Sequence, residues 1–180
     1  MPCQLWADLL HTAMDPFGAP FDGQDIHDPS PILSEGACKK AIAWAQSCKG
    51  VLEAATSDAV PGWLFIRVDR GYGEPDNARL GGQVLNELWN EPTEHRFIVV
   101  VGRDVNIQDH HEVLFHWVAN SDFARDTQWD QSRGCDRVGF DATPKTSGDE
   151  RNNQPVRAWP PILSMSDAVK ARCDQVRINR

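Results

Sequence analysis

The sequence predicts an α/β fold: a small, mostly parallel sheet built on a βαβ unit, with flanking helices, a loop-rich carboxyl-terminal third and a terminal helix. Three observations carry that expectation. Phe97-Ile98-Val99-Val100-Val101 is an apolar, β-branched run without polar alternation, the pattern of a strand covered on both faces in a parallel sheet. Trp63 to Val68 is a second strand, introduced by the turn Pro61-Gly62 and followed by Asp69-Arg70-Gly71-Tyr72-Gly73. Between them, about Asn77 to Trp89 reads as a helix with Ala78, Gly81, Leu85 and Trp89 on one face, where Gly81 permits close backbone approach. Strand, helix and strand make the βαβ unit, and its crossover is expected to be right-handed.

The remaining elements follow in order. Residues 1–29 are punctuated by Pro and Gly after a short helical stretch at Leu5 to Ala13, and read as an extended amino-terminal arm. Ser30-Pro31 has the signature of an N-cap followed by a first-turn proline, so a helix is expected from there to about Lys49, with Leu33, Ala37, Ala41 and Ala45 four apart and Gly50 as its stop. Val51 to Ala55 is a short strand. After the central strand, Asp109 and Glu112 fit a reciprocal capping box. Val113, Leu114, Trp117 and Val118, with Phe115 and Ala119 alongside, make the next helix apolar around most of its circumference, which predicts a central position. From Thr127 onward, loops rich in Asp, Gly, Asn and Pro surround one brief extended piece, Val138-Gly139-Phe140. Residues 30–165 form the α/β domain. Residues 166–180 form a terminal helix whose thin stripe of Val169, Cys173 and Val176 needs a surface to dock on.

Composition narrows the classes of function. A chain of 180 residues with 41% hydrophobic content can bury a core without staples, and no apolar run reaches membrane-spanning length. Net charge −8 repels nucleic-acid phosphates on average, which argues against DNA or RNA as partners. Five cysteines, an odd number with no Cys-x-x-Cys pair, and no secretory signal at Met1-Pro2-Cys3-Gln4, predict a reduced, cytoplasmic setting.

Motifs for chemistry are few. His110, His111, Glu112 and His116 suggest the zinc-peptidase pattern, yet His111 and His116 are five apart, which rotates the second off the face of the first, so no metal site is predicted. Gly71, Gly73, Gly81 and Gly82 do not make a dinucleotide fingerprint, and no phosphate-cradling Lys-Ser or Lys-Thr follows them. Cys135 has no neighbouring His and reads as an idle thiol. His27, in Asp25-Ile26-His27-Asp28, sits in a polar cluster before a helix start, where a solvated loop is the simpler reading. Thr93-Glu94-His95-Arg96, entering the central strand, is a similar polar loop.

Taken in order, these segments resemble the carboxyl-terminal domain of the UbiD-like decarboxylases. The resemblance rests on Val101 to Asp109, on Glu112 to Trp117 with Arg125-Asp126, and on Gly139-Phe140-Asp141-Ala142-Thr143-Pro144-Lys145 followed by Arg157-Ala158-Trp159-Pro160 and Met165. Asp25-Ile26-His27 is similar, more loosely, to a segment of the ferulate-type members. No single motif is diagnostic; the collinear order over about Asp25 to Arg177 carries the likeness.

The resemblance implies reversible, non-oxidative decarboxylation of an aromatic or α,β-unsaturated acid on prenylated flavin mononucleotide, with a divalent metal at the cofactor phosphate. The family's Glu-Arg-Glu acid/base set, its metal ligands and most cofactor contacts precede this domain, so no catalytic or metal-ligating residue is assigned here, and neither cofactor nor metal is expected to bind the chain tightly by itself. The ferulate-type lysine is also not evident in Leu88-Trp89-Asn90-Glu91. The chain would be a subunit, fragment or domain of a lyase, partnered by a cofactor-binding domain in a homo- or hetero-oligomer. His27, Thr93 and His95 are the substrate-cleft candidates the resemblance supplies by approximate position. The alternative is a non-catalytic interaction or regulatory module that kept the fold and lost the chemistry.

Overall fold

A computed structural model describes residues 33–57, 62–90, 95–130 and 137–151, with residues 155, 156, 166, 168, 169 and 171–173 beyond them. The predicted arm, the proposed cap Ser30, Cys135 and most of the terminal helix lie outside the described residues.

The first helix, α1, spans Glu35–Ser47. Its cap is Ser34, whose Oγ accepts the Ala37 N–H at 3.1 Å. The chain leaves it through Gly50, whose φ of 83° is the left-handed region glycine enters without a Cβ clash. Strand β1, Val51–Thr56, pairs antiparallel with β2, Trp63–Val68. A 3-10 turn at Pro75–Asn77 leads into α2, Leu80–Leu88. Strand β3, Phe97–Val101, runs parallel to β2.

Helix α3 spans His110–Asn120 and a single turn, α4, follows at Phe123–Asp126. The Asp109 carboxylate accepts the N–H groups of His111 at 2.9 Å and Glu112 at 3.4 Å. The Asp109 N–H is itself committed to the Asn106 carbonyl, so only half of the predicted capping box forms. Strands β4, Thr127–Asp130, and β5, Arg137–Ala142, then add to the sheet.

The sheet order is β1-β2-β3-β5-β4. Strands β2, β3 and β5 are mutually parallel at the centre, while β1 and β4 are antiparallel edges. The expectation of a mostly parallel sheet is therefore corrected to a mixed one. Its reason is the two edges, β1 pairing back on β2 and β4 on β5; the extended piece expected at Val138-Gly139-Phe140 is the longer strand β5, all six of whose residues are buried.

Period-2 alternation divides the core into two layers. Leu64, Ile66, Val68, Ile98 and Val100 pack against Ala41 and Ala45 of α1 and Val84, Leu85 and Leu88 of α2. Phe65, Val99, Val101 and Phe140 face the other way, onto Val105, Ile107, Val113 and Trp117. Each fully buried side chain of this size contributes about 1.5–3 kcal/mol. Trp117 is the hub of the second layer, its ring 5.4 Å from Trp63 and 4.7 Å from Phe140.

Helix α3 is not central. Val113 and Trp117 meet the sheet, but Leu114, Phe115 and Val118 are 46%, 67% and 70% exposed. The apolar circumference is real, and only half of it is used within the described residues.

Candidate functional site

The most developed polar constellation lies where the carboxyl end of β5 meets the amino end of α2. Asp141 alternates away from Phe140 and so points to the α2 layer, where it accepts the Gly82 N–H at 3.0 Å. A Cβ on Gly81 would sit 2.5 Å from Asp141 Cγ, so this glycine is what lets the carboxylate reach the helix terminus. The other Asp141 oxygen accepts the Thr143 N–H at 3.1 Å, the Thr143 hydroxyl at 2.6 Å and Lys145 Nζ at 3.0 Å.

Lys145 is 1% exposed and also donates to the carbonyls of Asp141 at 2.6 Å and Thr143 at 2.8 Å. All three of its N–H donors thus have acceptors. Asp126 Oδ2 stands 4.0 Å away and is held in a bidentate pair by Arg125 Nε at 2.9 Å and Nη2 at 2.7 Å. This pairing raises the Arg125 pKa against the opposing effect of burial.

A second buried pair ties the same corner down. Arg70, fully buried at the end of β2, binds both oxygens of Asp149 and the Asn77 carbonyl at 2.5 Å. Asp149 accepts in addition the N–H groups of Arg79 and Thr146, each at 2.7 Å. Arg79 stands in the left-handed region at φ 64°, an uncommon conformation for a bulky residue. Burial alone would push the carboxyls of Asp141 and Asp149 up. The Lys145 charge and the Thr143 bonds for Asp141, and the backbone bonds and Arg70 for Asp149, hold both below the ordinary carboxylate value.

A polar cleft of about 340 Å³ opens beside this knot, its walls including Arg79, Gln83, Asn86, Arg125, Asp141 and Lys145. The Lys145 ammonium is fully committed to acceptors within the knot and is not a free nucleophilic amine. The arrangement clamps the loop after β5 to α2 and gives the cleft rigid, charged walls.

Open α/β sheets usually bind ligands beyond the carboxyl ends of neighbouring strands whose connections leave to opposite faces. Here β2 leads to α2 on one face and β3 leads to α3 on the other, so the crevice belongs between them. It is closed. The Arg103 N–H donates to the Arg70 carbonyl at 2.9 Å, and a Cβ on Gly102 would meet that oxygen at 2.8 Å and Pro144 Cδ at 2.7 Å. The Arg103 side chain bridges Asp69 at 3.3 Å and Glu74. The α2 terminus, the other natural anion position, already holds Asp141. Among the described residues no three His, Cys, Asp or Glu side chains converge to hold a metal. Neither of these two positions therefore offers a phosphate cradle.

Of the cleft candidates from the sequence, His27 and Thr93 lie outside the described residues. His95 is 1% exposed at the amino end of β3, and burial lowers its pKa below the usual imidazole value. The polar knot sits at the opposite, carboxyl end of the parallel strands, so the structure does not bring His95 to it. His110 packs on Phe65 at 5.6 Å, His111 is exposed and His116 lies beside Asn120, a scattered rather than convergent set. Sequence reasoning missed Arg70, Asp126 and Asp149 as buried partners. Their only signal was an unusual density of Asp, Arg and Lys near segments that must end strands.

The fold is thus a three-layer α/β domain with a mixed open sheet and a plugged crevice at its carboxyl edge. The sequence model described as the 3-octaprenyl-4-hydroxybenzoate carboxy-lyase C-terminal domain matches residues 43–147, and the chain belongs to that UbiD-type family. Solved structures agree in fold. The vanillic acid decarboxylase of Sedimentibacter hydroxybenzoicus in its open form superposes with a TM-score of 0.53 at 13% identity, covering 80% of this chain and 33% of that one. The 3,4-dihydroxybenzoic acid decarboxylase of Enterobacter cloacae gives 0.52 at 13% identity, covering 76% and 32%. That of Klebsiella pneumoniae gives 0.50 at 14%, again covering 76% and 32%. The chain spans about a third of the length of these decarboxylases. Among the described residues, no helix is long and apolar enough to cross a membrane.

Proposed function

We propose that this chain is the carboxyl-terminal part of a UbiD-like decarboxylase and works with a cofactor-binding domain or subunit in the cytoplasm. The observation that supports it is the family match over residues 43–147 in a chain about one third as long as the decarboxylases it resembles. In this reading the partner carries prenylated flavin mononucleotide, the divalent metal and the acid/base set, and the substrate is an aromatic or α,β-unsaturated carboxylic acid. This chain completes the substrate cleft and the oligomer. His27, Thr93 and His95 are the residues of this chain proposed for that cleft. The terminal segment 166–180 reaches a neighbouring subunit.

The plugged crevice favours one second reading, a non-catalytic module on the same fold. Reconstitution separates them. With a flavin-loaded partner, CO₂ release from a panel of benzoic and cinnamic acids should require this chain. Binding of the partner with no change in any decarboxylation would support the module instead.

A further inference from the structure

The polar cleft beside Asp141 and Lys145 keeps positive charge and hydrogen-bond donors that no described residue uses. Arg79, Arg125, Lys145 and Arg151 stand in its walls, and fully buried Arg70 lies behind Asp149. Against them the described walls set the carboxylates of Asp126, Asp141 and Asp149, so cations outnumber anions here in a chain of net charge −8. Each of those carboxylate oxygens already has a donor. Asp126 takes Arg125 on both oxygens, and Asp141 takes the Gly82 N–H on one and Thr143 and Lys145 on the other. Asp149 takes Arg70 and the N–H groups of Arg79 and Thr146. What the described walls lack is therefore an acceptor, not a cation.

A guanidinium carries five N–H donors in a rigid fork. Arg125, its side chain 4% exposed, commits one from each nitrogen to Asp126 or to the Pro155 carbonyl at 2.9 Å, which leaves two unspent. Arg79 sends Nε to the Gly148 carbonyl at 3.2 Å and Nη2 to the Glu150 carbonyl at 3.0 Å, while Asp149 fixes its backbone N–H at 2.7 Å. Its Nη1 has no acceptor among the described residues, and the group is already oriented, so little ordering cost opposes a ligand. Arg151, Gln83 and Asn86 add side chains that hydrogen-bond to nothing among the described residues. We propose that this cleft binds a small hydrophilic oxyanion, held by the guanidinium groups of Arg79, Arg125 and Arg151 with the amides of Gln83 and Asn86 beside them. Guanidinium forks match the oxygens of carboxylate and phosphate two at a time. No apolar side chain lines the space, so an aryl ring finds no surface there, and about 340 Å³ suits a compact polar ligand. The ligand is therefore distinct from the aromatic acid of the proposed reaction, and the site does not rest on that reading.

Isothermal titration calorimetry on the full chain at fixed ionic strength tests this with two probes, citrate for the carboxylates and inorganic phosphate for the phosphates. At least one should bind at one per chain, and which one does identifies the class. Arg151→Gln removes a charge from the cleft and Gln83→Glu sets a carboxylate in it; both residues are exposed, so the thermal midpoint without anion should hold. Each should weaken binding at least about tenfold, the scale of one lost charge-assisted hydrogen bond. Lys39→Gln removes the same charge from α1, where Lys39 pairs with Glu35 outside the cleft, and should leave binding unchanged. Absence of binding by both probes overturns the proposal. Binding that survives both cleft substitutions, or that falls equally with Lys39→Gln, overturns it too, since the anion then sits elsewhere or answers only to overall charge. Benzoate bound as tightly as the better probe would contradict the hydrophilic class.

Discussion

Replacing Lys145 by Met tests whether the buried knot holds the domain together. Methionine roughly preserves the length and apolar stem of the lysine and removes its charge. The loss is threefold: contacts to Asp141 Oδ1 at 3.0 Å and to the carbonyls of Asp141 and Thr143 at 2.6 and 2.8 Å, all in a side chain only 1% exposed. Breaking a buried pair by deleting one partner costs about 3–5 kcal/mol, because the other charge stays buried without compensation. That is a large share of the roughly 5–15 kcal/mol that holds a domain folded. With a urea slope of about 2 kcal/mol per molar, the midpoint should fall by about 2 M in tryptophan-fluorescence unfolding. Asp141→Asn in the Lys145→Met background should cost far less than in the wild type, leaving a coupling of about 1.5 kcal/mol or more. A midpoint shift below about 0.5 M, or additive losses, would refute the claim that the two residues act as a unit.

Other outcomes follow from the same structure. Trp117→Ala removes the hub ring of the second core layer and should cost about 3–5 kcal/mol, read as a lower denaturant midpoint; an unchanged midpoint would contradict its burial at 4% exposure. Gly81→Ala should be destabilising despite the about 1 kcal/mol that alanine normally gains over glycine in a helix, since its Cβ would press on a carboxylate fixed by four donors. Acid should act through Asp141 and Asp149, whose folded pKa values are depressed. The unfolded chain then binds more protons, so their contribution is fully present above the ordinary value of 3.8 and is lost as pH falls through the folded values. Lys145→Met should move that loss to higher pH, because burial then acts on Asp141 without its main counter-charge; urea midpoints measured across pH check this.

How much was legible in the sequence depended on whether a residue's neighbours in the chain were also its neighbours in space. Trp63–Val68, Phe97–Val101 and the Asp109 cap could be read because β-branched runs and cap spacing are local signals. Gly81 was legible as a point of close approach, though not the Asp141 carboxylate that approaches it. Strand β5 was legible only as the brief extended piece Val138-Gly139-Phe140 and not as a central strand, since Gly139 is there to admit Leu85 and Trp89, and Arg137 is buried by pairing with Asp130 and covering the Trp89 ring at 5.1 Å. Both are answers to residues distant in sequence. Periodicity also could not tell that one apolar face of α3 meets the sheet while the other faces outward, because both demand the same residue types. The buried pair Arg70 and Asp149, 79 residues apart, left no local sign that the two belong together.

The central claim is that this chain depends on a partner for the cofactor, and flavin retention measures it most directly. The purified chain, mixed with prenylated flavin mononucleotide and a divalent metal and passed through gel filtration, should emerge without a flavin absorbance band. Added flavin-binding partner should elute with the chain and carry the band. A band that survives filtration at close to one flavin per isolated chain would contradict the account, in which the crevice between β2 and β3 is plugged and the α2 terminus is filled by Asp141.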